Sequence, residues 1–188
     1  MNVDSRYREL LEYLVEPQGH DHLGGKTVCY LTFDVSEIQT VKRRLREGWI
    51  EVAKNKNLEP EILSLHEVLK DFFEKDDYRI EAGKDAAEDK YEMEEVYESL
   101  GENLRNKEII EDAILEKQEL VKKKNNGILM ITDLEAIHPF TRFGPIEQKI
   151  YNKLEIPLVV FYPGERNGSA LKFLGFYPED GNYRSKHF

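Results

Sequence analysis

The chain has one cysteine in 188 residues, which excludes an intramolecular disulfide. Cys29 sits within the apolar run TVCYLTF, where a small buried hydrophobe is the expected role. No apolar stretch approaches the roughly 20 residues needed to cross a bilayer, and Met1 to Glu9 lacks the apolar core of a signal peptide. With a single thiol, these features point to a reducing, cytoplasmic setting. Positive charge is in deficit: 27 Lys and Arg face 37 Asp and Glu, for a net charge of -10. Such a balance argues against general affinity for nucleic-acid backbone, which depends on Lys and Arg. A phosphate-binding loop is also missing. The run through Phe33 leads into Asp34-Val35-Ser36-Glu37 rather than into glycines and a lysine, and Gly24-Gly25-Lys26 lies at its wrong end. No G-x-S-x-G elbow marks a nucleophile.

What the chain does contain is a series of short apolar runs separated by helical patterns. The central one is GILMIT, from Gly127 to Thr132, set between Asn125-Asn126 and the acids Asp133 and Glu135. Continuous apolarity with polar groups following is the pattern of a buried parallel strand. Residues 27–33, 61–65 and 156–162 read the same way, and the helical patterns between them imply parallel crossovers. The loop 163–169 is too short for a crossover helix, so the run 170–176 is expected to return antiparallel as a hairpin.

The helical patterns are equally explicit. Tyr7, Leu10, Leu11 and Leu14 recur at helical spacing within Ser5 to Val15. Glu37 to about Lys54 carries an apolar stripe, with Lys42, Arg43, Arg44 and Arg46 on the other face; those bases suit either solvent or an acidic partner. A further helix carries Val68, Leu69, Phe72 and Phe73, and residues 76–87 are charged and irregular. Ala86 to Lys124 reads as an αα-hairpin interrupted near Gly101, longer than a crossover requires. Gly144-Pro145 opens a helix through Leu154, and the tail from Asn182 to Phe188 is expected either to be weakly structured or to dock through Tyr183 and Phe188. The expected architecture is one α/β domain over residues 1–188 with a helical insertion at 86–124. Its mostly parallel sheet of about five strands is flanked by helices, P-loop-like without the phosphate loop, and closed by a C-terminal β-hairpin.

In open α/β sheets, sites lie outside the carboxyl ends of the strands. That rule draws attention to Asp133, Glu135, His138, Arg142, Tyr162 and Arg166. Two readings compete there. The acids, with Asp34, His66 and His138, could converge as a hydrolytic metal or nucleotide site; alternatively Arg142 and Arg166 could pair with Asp133 and Glu135 in a structural network that stiffens a docking edge. His20, Asp21 and His22 form a second metal-like group, but no third ligand stands at a familiar spacing, and a surface loop is the plainer reading. No catalytic, cofactor or metal-binding residue is expected.

The carboxyl-terminal half resembles a known family. ITDLEAIHPF, then Tyr162-Pro163-Gly164, the Leu171 to Gly175 run LKFLG and Asn182-Tyr183-Arg184 are similar to the corresponding segments of BrxB, the small component of BREX anti-phage systems. The resemblance is specific over residues 127–184. It implies a non-catalytic core component of the defence complex, similar in fold plan to a degenerate P-loop α/β domain. It also implies association with PglZ, the alkaline-phosphatase-like BREX component. A nucleotide- or metal-dependent hydrolase acting at the acidic strand ends is the alternative. A nucleic-acid adaptor using Lys42 to Arg46 is a weaker one.

Overall fold

The computed structural model describes residues 2–16, 28–75, 90–168, 170–178, 180–181 and 185–188. The expectations for His20, Asp21, His22, the stretch 76–87 and Tyr183 lie outside the described residues, as does the side chain of Tyr91.

A helix α1 (Val3–Val15) opens the chain, capped by Asn2 accepting from the Ser5 amide at 2.9 Å. Strand β1 (Val28–Phe33) follows, then a 3-10 turn at Val35–Glu37, helix α2 (Ile38–Arg44), a π-helical turn at Leu45–Trp49 and helix α3 (Ile50–Asn55). Strand β2 (Glu59–Ser64) leads directly into α4 (Leu65–Glu74), with Ser64 as the cap. Helices α5 (Lys90–Asn106) and α6 (Ile109–Val121) precede the central strand β3 (Gly127–Thr132). Helix α7 (Phe143–Ile150) comes next, then strands β4 (Leu158–Asn167), β5 (Ala170–Phe173), β6 (Asp180–Gly181) and β7 (Lys186–His187).

The strands form a sheet in the order β2-β3-β4-β1-β7, every neighbouring pair parallel. Strand β4 outlasts this parallel region, and from Gly164 to Asn167 it pairs antiparallel with β5. Alternate side chains on each strand feed two cores. Tyr30, Leu129, Ile131, Val160 and Tyr162 meet α4 to α7 and β5 on one face. Cys29, Leu31, Met130, Val159 and Phe161 meet α1, α2 and α3 on the other. The three strands that bury both faces are the ones whose sequences are continuously apolar. Burial pushes the Cys29 thiol up to about 12, as befits a packing residue.

Several boundaries differ from the sequence reading, each for a local reason. Pro163-Gly164 does not end β4, because Pro163 is still paired with Phe33 and Gly164 with Phe173. Pro60 lies inside β2, where it is tolerated because β2 is the sheet's edge strand. The helix expected over 37–54 is broken by the π turn. That turn sets Trp49 inward, stacked on Tyr7 at 4.2 Å, and the Trp49 carbonyl accepts from the Tyr7 hydroxyl at 2.8 Å.

Gly101 does not interrupt the helical hairpin. It is buried within α5, where a Cβ would stand 2.8 Å from the Phe140 carbonyl oxygen. The break falls instead at Glu108, whose φ is 49°. Helix α6 buries Ile110, Ile114 and Val121, and its Gln118 ties Lys153 and Glu155 to it through the Lys153 carbonyl and the Glu155 amide. The tail docks as a strand: the Phe188 amide donates to Tyr30 at 2.8 Å, and Thr32 donates back to the Phe188 carbonyl at 3.0 Å. No helix among the described residues is long and apolar enough to cross a membrane.

Candidate functional site

Parallel strands deliver their ends to one edge, so the turns after β1, β3 and β4 lie on the same side of the sheet. After β3 the chain turns sharply. Asp133 adopts left-handed backbone angles (φ 61°, ψ 38°), unusual for a residue with a side chain, and begins the 3-10 turn Leu134–Ile137. Its carboxylate is fully engaged: Oδ2 accepts from Ser64 Oγ at 2.5 Å and Thr132 Oγ1 at 2.9 Å, and Oδ1 lies 2.6 Å from Lys42 Nζ. Lys42 also meets Glu135 at 2.6 Å.

One lysine of α2 thus occupies the space between the two acids where a cation would sit. Burial favours a protonated Asp133, but the bonds from Lys42, Ser64 and Thr132 outweigh it and hold the carboxyl below its usual range. Lys42 is partly desolvated, which disfavours its charge; the bonds from Asp133 and Glu135 outweigh that and hold it above an ordinary lysine.

The acids' partner is therefore Lys42, not Arg142 or Arg166. The other proposed ligands do not join them. His66 is exposed on α4, and Asp34 is spent capping the turn after β1, accepting from the Ser36 amide at 2.8 Å. Among the described residues, no group of three His, Cys, Asp or Glu side chains is placed to hold a metal ion.

His138 and Arg142 belong to a second neighbourhood. His138 Nδ1 hydrogen-bonds the Tyr177 hydroxyl, and its ring meets Phe176 edge-on at 5.7 Å. The Arg142 guanidinium lies 5.6 Å from the Tyr177 ring centre. Phe176 is 63% exposed, thrust outward by a turn in which Leu174 and Gly175 both have positive φ. From His138 the chain passes through a cis bond to Pro139 and reaches Phe140, which contacts Phe73 at 5.6 Å and Tyr97 of α5 at 5.9 Å. The Phe140 carbonyl accepts from Arg105 at 2.8 Å, so α5 is tied to this loop.

Tyr162 and Arg166 part company. Tyr162 is only 5% exposed, packed against Tyr30 and Phe173, so its ring belongs to the core rather than to a docking surface. An alternating strand sends 162 inward and lets the residues beyond Gly164 leave the core. Arg166, exposed, lines a cleft of about 510 Å³ at the carboxyl ends of β1 and β4, as does Arg6.

Phe176, Tyr177 and Arg6 were not singled out by sequence, and Lys42 was named only within a basic helix face. Lys42 is one of four bases in five residues, and nothing in that run distinguishes it. Phe176 had a usable signal, since two aromatics follow a Leu-Gly turn just after a strand.

Comparison with known proteins adds one finding. Residues 61–188, about two thirds of the chain, match the family described as BREX protein BrxB. No match was found among curated proteins or among solved structures. The family match begins within β2 and takes in Asp133, Glu135, His138, Arg142, the aromatic neighbourhood and Arg166, while Lys42 and Arg6 precede it. The chain belongs to the BrxB family, the BREX components of phage defence.

Proposed function

We propose that the chain is a non-catalytic interaction component of its BREX assembly, docking PglZ through the aromatic strip that runs from Phe176 to Tyr97. One observation carries this reading: Phe176 stands 63% exposed on a rigid backing of Tyr177 and His138. A large ring held in water on ordered neighbours costs little further entropy when a partner covers it. Tyr97, 39% exposed, extends the strip onto α5, whose Glu94, Glu98 and Glu102 face solvent beside it. That rim suits a basic, apolar partner surface.

Family membership makes other BREX proteins the natural partners, and PglZ is the one named by the resemblance. In this reading the chain is one α/β domain. Of the helical segment 86–124, α5 supplies the added surface, while α6 belongs to the cover of the sheet.

A stable complex should bury about 1,200–2,000 Å², with a few central anchors dominating. The test is retention of PglZ by the wild type and by Phe176→Asp with Tyr97→Ala, each shown to be folded by its thermal transition. The double variant should bind at least about 30-fold more weakly, as expected for hot-spot loss. Equal retention by both would remove the strip from the interface. A wild type that does not retain PglZ would remove PglZ as the partner.

The rival reading is a hydrolase at Asp133 and Glu135. The Lys42 ammonium already bridges those acids and offsets one of their two charges, and the turn after β1 is capped by an aspartate, without a glycine-rich amide cradle. Calorimetric titration with ATP and Mg²⁺ should therefore give no saturable heat. Micromolar binding that is lost in Asp133→Ala would favour the hydrolase.

A further inference from the structure

We propose that the cleft between the carboxyl ends of β1 and β4 binds a small oxyanion, a carboxylate or phosphoryl group, through the guanidinium groups of Arg6 and Arg166. Its position is the first argument. The chain leaving β1 builds α2 and α3 on one face of the sheet, whereas the chain leaving β4 turns back as the hairpin strand β5, whose Leu171 and Phe173 join the core of the other face. The gap lies outside the carboxyl ends of two adjacent parallel strands, the side of an open α/β sheet on which ligands are held. Thr32 and Asp34 line it from the β1 side, Gly164 and Arg166 from the β4 side, and the volume of about 510 Å³ is that of a small-molecule site.

The arginines give the chemistry. Arg6 donates through Nη1 to the Thr32 carbonyl at 2.8 Å. Arg166 donates through Nε to Gly168 at 3.0 Å and through Nη1 to the His187 carbonyl at 2.9 Å. In a chain with ten more acids than bases, both cations are anchored, among the described residues, by neutral main-chain oxygens rather than by carboxylates. Each guanidinium has five N–H donors, so each keeps donors to spare while its position is fixed. His187 lines the same cleft, and its buried Nε2 has no hydrogen-bond partner among the described residues.

The rest of the lining sets the ligand's size and charge. Glu9 and Glu165 stand exposed at the mouth, and Asp34 is held ionised by Ser36. Three acids beside two arginines disfavour a polyphosphate. They suit one oxyanion on a small body that offers hydroxyl or amine groups to the acids. The assignment is independent of the aromatic strip, which lies elsewhere on the molecule's residues, and a failure of PglZ docking leaves it standing.

The test is thermal unfolding of the full chain in increasing sodium phosphate, and separately in sodium succinate, each against sodium chloride at matched ionic strength. A ligand of the native cleft should raise the transition temperature saturably beyond chloride. Arg166→Gln and Arg6→Gln should each weaken the apparent affinity by about tenfold or more, the usual worth of a charge-assisted bond. Amide resonances of Thr32, Gly164 and Glu165 should shift along the same titration. A response to phosphate alone identifies a phosphoryl ligand, and a response to succinate alone a carboxylate. Absence of a saturable shift with both anions, or an unchanged response in the Arg6→Gln, Arg166→Gln double variant, would overturn the proposal.

Discussion

Gly164→Val should lower the unfolding free energy by about 3 kcal/mol, the upper range for forcing a side chain into packed structure. At Gly164, β4 changes partner: Pro163 is still in register with Phe33 of β1, and Gly164 faces Phe173 of β5. The two backbones approach so closely there that a Cβ would stand 2.3 Å from the Lys172 carbonyl oxygen and 3.0 Å from Tyr162 Cε1. A carbonyl oxygen in a strand cannot rotate aside as a side-chain tip can. The valine would have to push β5 away from β4, and β5 carries the buried Leu171 and Phe173. The cost therefore includes lost burial as well as the clash. Urea unfolding at neutral pH is the measurement, with the midpoint falling and the slope unchanged. A loss below about 1 kcal/mol would mean that the hairpin can shift without disturbing the core, against the packing described.

The same position shows what the sequence could and could not reveal. The strand Gly127–Thr132 was legible to the residue, because a central parallel strand must be apolar on both faces and Asn125-Asn126 and Asp133 bracket it. Strand β4 was legible only in its first half. Proline and glycine ordinarily end a strand, and only the hairpin partner shows why a glycine is required at 164. Gly101 misled in the same way. A glycine in a helical pattern reads as a break, yet here it lets α5 approach the Phe140 carbonyl, and the break falls at a glutamate in left-handed conformation. Both errors come from treating glycine as a local signal when its reason is a contact distant in sequence.

The candidate site divides along the same line. Strand ends are visible in sequence, so Asp133, Glu135, His138, Arg142 and Arg166 were placed at one edge from their positions alone. Which of them touch was not visible. Alternation along β4 places Tyr162 in the core, and a three-dimensional register brings Lys42 from 91 positions earlier in the chain to Asp133. The BrxB resemblance drew on residues 127–184, and the family match extends back to Glu61. Lys42 lies before both, so neither could identify the cation that neutralises the acids.

Lys42→Met should cost about 1–2 kcal/mol at neutral pH, less than a fully buried pair because the lysine and both acids keep some solvent contact. Methionine preserves the apolar stem and removes only the charge, leaving Asp133 and Glu135 to repel each other across the vacated space. The pH dependence separates this mechanism from simple loss of packing. The folded Asp133 carboxyl lies below its ordinary value, so its stabilising contribution is complete above the unfolded carboxylate pKa, about 3.9, and is lost as pH falls through the folded value. Lys42 is held above the ordinary lysine value, so the pair's contribution is also lost as pH rises past that range. The difference between wild type and variant should thus be greatest near neutrality and narrow only as pH falls below about 3.9 and through the lower folded value of Asp133. Millimolar Mg²⁺ should restore part of the loss in the variant and leave the wild type unchanged, because two converging carboxylates without their ammonium can take a hydrated divalent cation. Chemical unfolding at several pH values, with and without Mg²⁺, provides the check. A difference that stays constant from pH 7 to pH 3 would assign the cost to packing and refute the ammonium's role as the neutralising cation of the Asp133 and Glu135 edge.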